Sequence, residues 1–203
     1  MTSLRAARPD EVRELAVLLT RAFAGDIVLD WFLRPWSWHR AAELFFAEML
    51  ADALPHGGVR VDANFSACAV WLPPHVQPAE GGLWAGLMNA LWMLRVTSPL
   101  RYARLKAVIR TSMEIHPKEK CYYLSFIATL PEARGRGLAS ALISETLAQA
   151  DAEGMPAFLE TADTAKVGFY RRFGFELTGQ AKLPAGGPTL NLMWREAHQP
   201  RSC

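Results

Sequence analysis

The sequence predicts an α/β fold, with a mixed central sheet flanked by helices. Three observations carry this. Short β-branched and aromatic runs bounded by turn residues recur along the chain, and longer stretches with helical apolar spacing alternate with them. The third is Tyr122 to Ala150, which reads as a strand, a glycine turn with two arginines and a helix. No internal repeat or linker divides the chain. One domain over 1–196 is expected, with a helical segment at about 79–115 and a tail at 197–203.

In order, Ser3 to Ala7 is a short strand candidate. Pro9, Asp10 and Glu11 then open a helix, with acids where the helix dipole favours them. Val12, Leu15, Ala16, Leu19, Ala22 and Phe23 share its face. Gly25 and Asp26 interrupt it, and Ile27 to Trp38 is aromatic-rich. A second helix is expected from about Ser37 to Leu54, ended by Pro55. Val59 to Val61 and Ser66 to Leu72 read as two strands with a hairpin-like turn between them. A Trp- and Met-rich helix follows at about Leu83 to Val96, then a basic one at about Leu100 to Met113. Tyr122 to Leu130 is a buried strand, and apolar residues from Ala139 to Ala150 fall on one helix face. Ala157 to Thr161, Phe175 to Ala181 and Thr189 to Trp194 are further strands. A short helix, Ala165 to Phe173, ends at Gly174.

Composition narrows the function. The net charge of +2 lacks the basic excess of a general nucleic-acid binder. Cys68, Cys121 and Cys203 lie far apart, as in a protein with reduced thiols, and a cytoplasmic location is expected. The N-terminus has no signal-peptide core, and the uncharged run Gly81 to Leu94 is shorter than the ~20 residues that span a bilayer. No nucleic-acid or membrane partner is expected. The five histidines are scattered without metal-ligand spacing, so no metal is expected.

The turn at Arg134 to Ala139 is suited to an anion. Free N–H groups at a helix start point outward with the positive end of the dipole. Gly135 and Gly137 allow close approach, and Arg134 and Arg136 add forked donors. A bland glycine turn with surface arginines is the alternative.

Arg134-Gly135-Arg136-Gly137-Leu138-Ala139 resembles the Gln/Arg-x-x-Gly-x-Gly/Ala loop of the GNAT superfamily of acyl-CoA-dependent N-acetyltransferases. The segment Phe169 to Gly179, FYRRFGFELTG, is similar to a second mark of that family, and the element order agrees nearly end to end. Met155 to Phe175 and His116 to Leu124 resemble the puromycin N-acetyltransferase-like branch.

The resemblance implies the GNAT fold and acetyl transfer from acetyl-CoA, with Arg134, Gly135, Arg136, Gly137, Leu138 and Ala139 holding the pyrophosphate. It places the backbone of Ile127, Ala128 and Thr129 along the pantetheine arm, with a nearby main-chain N–H polarising the thioester carbonyl. It makes Tyr170 the acid that protonates the leaving thiolate. A tyrosine packed between helix and sheet is the alternative. One departure stands out: relatives often carry asparagine four residues before that tyrosine, and here it is Lys166. Lysine only donates, so it either attracts a cofactor phosphate or is a solvated helix residue.

Glu160, at a strand end near the expected cleft, and His116, of a residue type that can titrate near neutrality, are candidates for the base; the alternatives are that Glu160 holds the strand's end, that His116 is a loop residue, and that a water chain or no dedicated base serves. Trp31, Trp36, Trp84, Met88, Trp92 and Met93 would line an acceptor pocket; core or homodimer packing is the alternative. Arg101, Arg104, Lys106 and Arg110 read as a solvated helix face, with contact to an acidic substrate or nucleic acid as the alternative. The expected reaction acetylates a primary amine of a small molecule in a ternary complex. Protein or peptide acetylation and non-catalytic acyl-CoA binding are the competing readings.

Overall fold

The computed structural model describes residues 3–76 and 91–198. Seven strands form one mixed sheet: β1 (Leu4–Ala6), β2 (Val59–Asp62), β3 (Ala67–Leu72), β4 (Tyr122–Thr129), β5 (Ala157–Thr161), β6 (Glu176–Lys182) and β7 (Thr189–Arg195). Their order is β1-β2-β3-β4-β5-β7-β6. Only β4 and β5 pair in parallel; every other neighbouring pair is antiparallel.

The helices are α1 (Val12–Ala22), α2 (Ile27–Phe32), α3 (Trp38–Ala53), α4 (Tyr102–Ile115), α5 (Leu138–Ala152) and α6 (Thr164–Arg171). A 3-10 turn, Pro9–Glu11, precedes α1. Asp26 does more than interrupt the chain: its carboxylate accepts from the N–H groups of Val28 and Leu29 and so starts α2. Residues 91–96 are helical. The rest of the Trp- and Met-rich segment, with Trp84 and Met88, lies outside the described residues.

The β4–α5–β5 and β5–α6–β6 crossovers advance the same way along the sheet. Right-handed crossovers then put α5 and α6 on one face. Contacts agree. Arg195 on β7 joins the Asp151 carboxylate of α5 at 2.7 Å and donates to the Phe173 carbonyl just after α6 at 2.8 Å. Tyr122 donates to Glu153, just past the end of α5. The opposite face is covered by α1 and α3. There Phe126 of β4 meets Phe23, Phe45 and Phe46 at centroid distances of 5.3 to 6.1 Å. Burying each such ring is worth about 1.5–3 kcal/mol, so this side of the sheet is firmly packed.

The β2–β3 turn is held by one buried side chain. Asp62 accepts from the N–H groups of Asn64, Ser66 and Ala67. Cys68 and Cys121 are buried free thiols. No helix of the described residues is long and apolar enough to cross a membrane.

Candidate active site

The site begins with an irregularity in β4. On its β3 side, Val70 faces Phe126 while Trp71 faces Leu124, so Ser125 is an extra residue, a β-bulge. On the other side, β4 pairs with β5 only at Tyr122, Tyr123 and Leu124, opposite Ala157, Phe158 and Leu159. Beyond the bulge the two strands part, leaving a slot in the sheet.

The bulge also turns the backbone. Before it, the Tyr122 N–H donates to the carbonyl of Pro156, on the β5 side. After it, the Leu130 N–H donates to Ser66, on the β3 side. Alternation along an antiparallel ladder assigns Phe126 and Ala128 to β3 as well, and leaves the N–H and C=O groups of Ile127 and Thr129 facing the slot. Ala128 therefore departs from expectation: its backbone is committed to β3. The Thr129 hydroxyl is shielded from solvent and has no hydrogen-bond partner among the described residues. A polar arm lying in the slot would meet this orphan group and two free backbone edges.

At the far end of β4, Pro131–Ala133 forms a 3-10 turn and α5 starts at Leu138. Gly135 and Gly137 both sit at φ +76, and a Cβ built on either meets nothing within 4 Å. Gly137 is the N-cap and has no side chain to satisfy the first helical N–H groups; the ladder begins only with the Ala141 N–H bonding to Gly137. Leu138, Ala139 and Ser140 thus present free donors beside open space. Arg134 and Arg136 are exposed, with side chains resting on the Ala22 and Glu132 carbonyls at 3.5 and 3.2 Å. The turn fits a phosphate group.

A second group of side chains lies across the slot, on the face away from α5. Tyr123 alternates with Tyr122 and so points there. Its hydroxyl donates to the Glu160 carboxylate at 2.7 Å. Its ring stacks on Phe158 at 5.9 Å, and His116, capping α4, stands edge-on to it at 5.2 Å. Burial pushes the Glu160 carboxyl up to about 7, while the Tyr123 hydrogen bond pulls the other way. Burial also lowers His116 and, reinforced by the Glu160 charge, raises Tyr123 well above the usual phenol range. Glu160 and His116, proposed separately as bases, are thus brought to one residue. Tyr123 escaped sequence reasoning, although its parity with Glu160 on the neighbouring strand was a usable signal.

Tyr170 is buried in the last turn of α6, in edge contact with Phe169 and Phe175. Burial first, then the nearby Asp163 charge, pushes its phenol up to about 12, so it carries its proton at neutral pH. Its hydroxyl makes no hydrogen bond among the described residues. Lys166 is half-exposed and pairs loosely with Asp163 of its own helix at 3.7 Å, as a solvated residue does.

The aromatic candidates divide. Trp31 lies against the β6–β7 turn, where a Cβ on Gly187 would come within 2.8 Å of its ring, and the Arg104 guanidinium covers it at 5.5 Å. Trp92 stacks on Phe45 as packing, and Trp36 is 71% exposed. Arg101 and Arg104 are not a free basic face. They donate to the Asp30, Leu33 and Trp31 carbonyls at the end of α2, where unsatisfied carbonyls and the negative dipole end need cations. A cavity of about 260 Å³ lies elsewhere, between the last turns of α5 and residues such as His56, Trp71 and His75. It belongs to neither half of the slot.

With this geometry in place, comparison with known proteins identifies the fold. Residues 92–175 match the family described as Acetyltransferase (GNAT) family. The crystal structure of histone acetyltransferase HPA2 and related acetyltransferase from Corynebacterium glutamicum is similar over 99% of both chains, with 22% identity and a TM-score of 0.69. Drosophila melanogaster polyamine N-acetyltransferase is similar over 97% of this chain and 100% of its own, at 14% identity and TM-score 0.63. A mosquito arylalkylamine N-acetyltransferase, like 5b, shares 16% identity over 97% and 100%, with TM-score 0.61. The fold is the GNAT fold.

Proposed function

We propose that this chain is an acyl-CoA-dependent N-acetyltransferase that acetylates a primary amine of a small molecule by direct attack in a ternary complex, a reading supported by its fold and by the family match over residues 92–175. The observation that carries the reading is the slot between β4 and β5, with an anion turn on one face and a half-buried carboxylate on the other.

Acetyl-CoA would supply the activated acyl group. The residues of this chain do the rest. The turn from Arg134 to Ala139 binds phosphate through helix-start N–H groups. The backbone of Ile127 and Thr129 and the orphan Thr129 hydroxyl bind the amide-like arm, and a main-chain N–H in the slot polarises the carbonyl. Glu160 takes the proton that the amine loses as its nitrogen bonds to the carbonyl carbon. When the carbon–sulfur bond breaks, Tyr170 gives its proton to the sulfur. A carboxyl held near neutrality and a phenol that keeps its proton suit these opposite tasks.

A small amine is favoured over a peptide because α4 brings His116 against Tyr123 at one end, while Trp31 of α2 is wedged between Arg104 of α4 and Gly187 of the β6–β7 turn. Neighbours named for polyamines and arylalkylamines support the same class. The resemblance to the puromycin N-acetyltransferase-like branch makes aminonucleosides one arm of the test. That test is a thiol-release screen with acetyl-CoA against polyamines, arylalkylamines, puromycin, aminoglycosides and short peptides. Release with one class of small amines is expected. Release with peptides alone would replace the small-amine reading, and binding of coenzyme A without release against any amine would leave a non-catalytic module.

A further inference from the structure

We infer that Tyr123 is a positioning residue that fixes Glu160 at the apex of the slot. The inference rests on the proposed role of Glu160 as base. Glu160 is the residue after the last β5 position paired to β4, and Ser125, the bulged residue, is its counterpart on β4. A carboxylate at such a fork has no parallel partner strand beside it to restrict its rotamer. One hydrogen bond, from Tyr123 at 2.7 Å, supplies the restraint.

The phenol suits that task because its own ring is held on two sides. Phe158, two residues before Glu160 on the same strand face, stacks on it with ring planes 30° apart. His116 closes the other side edge-on, at 84°, and its ring also meets Phe158 at 6.3 Å. A side chain with only two torsions, pinned by two rings, delivers its hydroxyl to one point. Tyr123 from β4 bonds Glu160 and Leu192 lies across the ladder on β7, while His116, at the cap of α4, reaches the rings of Tyr123 and Phe158, and Ser125 bonds the Tyr123 hydroxyl. No lysine or arginine pairs with Glu160 among the described residues. The hydroxyl of Tyr123 is therefore the polar restraint on the carboxylate, and it stabilises the charged form that accepts a proton.

The sign follows. Removing the hydroxyl leaves burial unopposed and raises the Glu160 pKa. A hydrogen bond to a charged group corresponds to about 1 pH unit. In Tyr123→Phe, the acidic limb of kcat/KM should move up by about 1 unit, while KM for acetyl-CoA stays within twofold. An isotope-edited infrared titration of the Glu160 carboxyl, assigned by its loss in Glu160→Gln, should move in the same direction. This readout needs no turnover. Phe158→Leu, which keeps the hydroxyl but removes the stack, should move the titration less and in the same sense, and serves if the first variant folds poorly. An unmoved infrared titration in Tyr123→Phe overturns the inference. Full turnover in Glu160→Gln would instead sink the base assignment, leaving the coupling to be judged from the infrared result alone.

Discussion

Replacing Gly137 by alanine should weaken coenzyme A binding far more than it weakens the fold. Gly137 sits at φ +76, where an L side chain costs about 1–2 kcal/mol. No clash adds to this, because the new Cβ meets nothing within 4 Å. For a chain of this size the strain corresponds to a fall in Tm of roughly 2–8 °C. The open space that spares the free protein is also the space a phosphate would occupy. A methyl group there holds the anion away from the N–H groups of Leu138, Ala139 and Ser140. Losing one or two charge-assisted hydrogen bonds, each about 1.5–3 kcal/mol, means a rise in Kd of roughly tenfold to ten-thousandfold. Gly154 is the control: it also has positive φ, at +64, with nothing within 4 Å, but lies beyond the other end of α5. Calorimetric titration with coenzyme A and thermal melts of both variants would separate the effects. Equal affinity in Gly137→Ala and Gly154→Ala would refute the assignment of the turn to phosphate.

Tyr170→Phe should lower turnover about ten- to a hundredfold while leaving the acetyl-CoA Kd nearly unchanged; steady-state rates beside equilibrium titration check this, and unaltered turnover removes the acid role. Arg195→Met should destabilise the protein by about 1–3 kcal/mol in urea titration, because it removes two charge-assisted hydrogen bonds to Asp151, which is 25% exposed and keeps the His198 N–H, and one to the Phe173 carbonyl. The Arg195 hydrogen bond, chief among several, holds the Asp151 pKa below its ordinary value. That pair's stability is therefore present above the usual aspartate range and lost as pH falls through the lower folded value; an acid titration of stability should be flatter in Asp151→Asn. Gly187→Ala should displace Trp31, costing about 1–3 kcal/mol, and change KM for the amine but not for acetyl-CoA.

The elements legible in the sequence were those whose signal is local. The α5 face from Ala139 to Ala150, the β5 run and the Gly174 stop all appeared with boundaries correct to within one or two residues. The Arg134 to Ala139 turn was legible too, because glycines at positive φ before a helix leave a mark in the sequence itself. The bulge at Ser125 left none. It is a property of how β4 meets β3, and it decided that Ile127 and Thr129, but not Ala128, face the slot. The hydrogen bond between Tyr123 and Glu160 spans 37 positions and follows only once strand register is known. Lys106 and Arg110 are exposed, as a solvated face requires, but Arg101 and Arg104 were misjudged for a related reason: the carbonyls they cap belong to α2, about 70 residues earlier.

The parting of β4 from β5 sets the two halves of the proposed site on opposite faces of the sheet. On the proposed reading the thiol-bearing product departs past α5, while the acetylated amine departs on the opposite side of the sheet. Neither has to wait for the other. Initial-velocity plots against the two substrates should therefore intersect, with either binding order allowed. A covalent donor–acceptor hybrid, by contrast, can enter only by pushing one of its ends through the fork at Ser125 and Glu160. Such a compound should associate slowly and, once threaded, leave more slowly still.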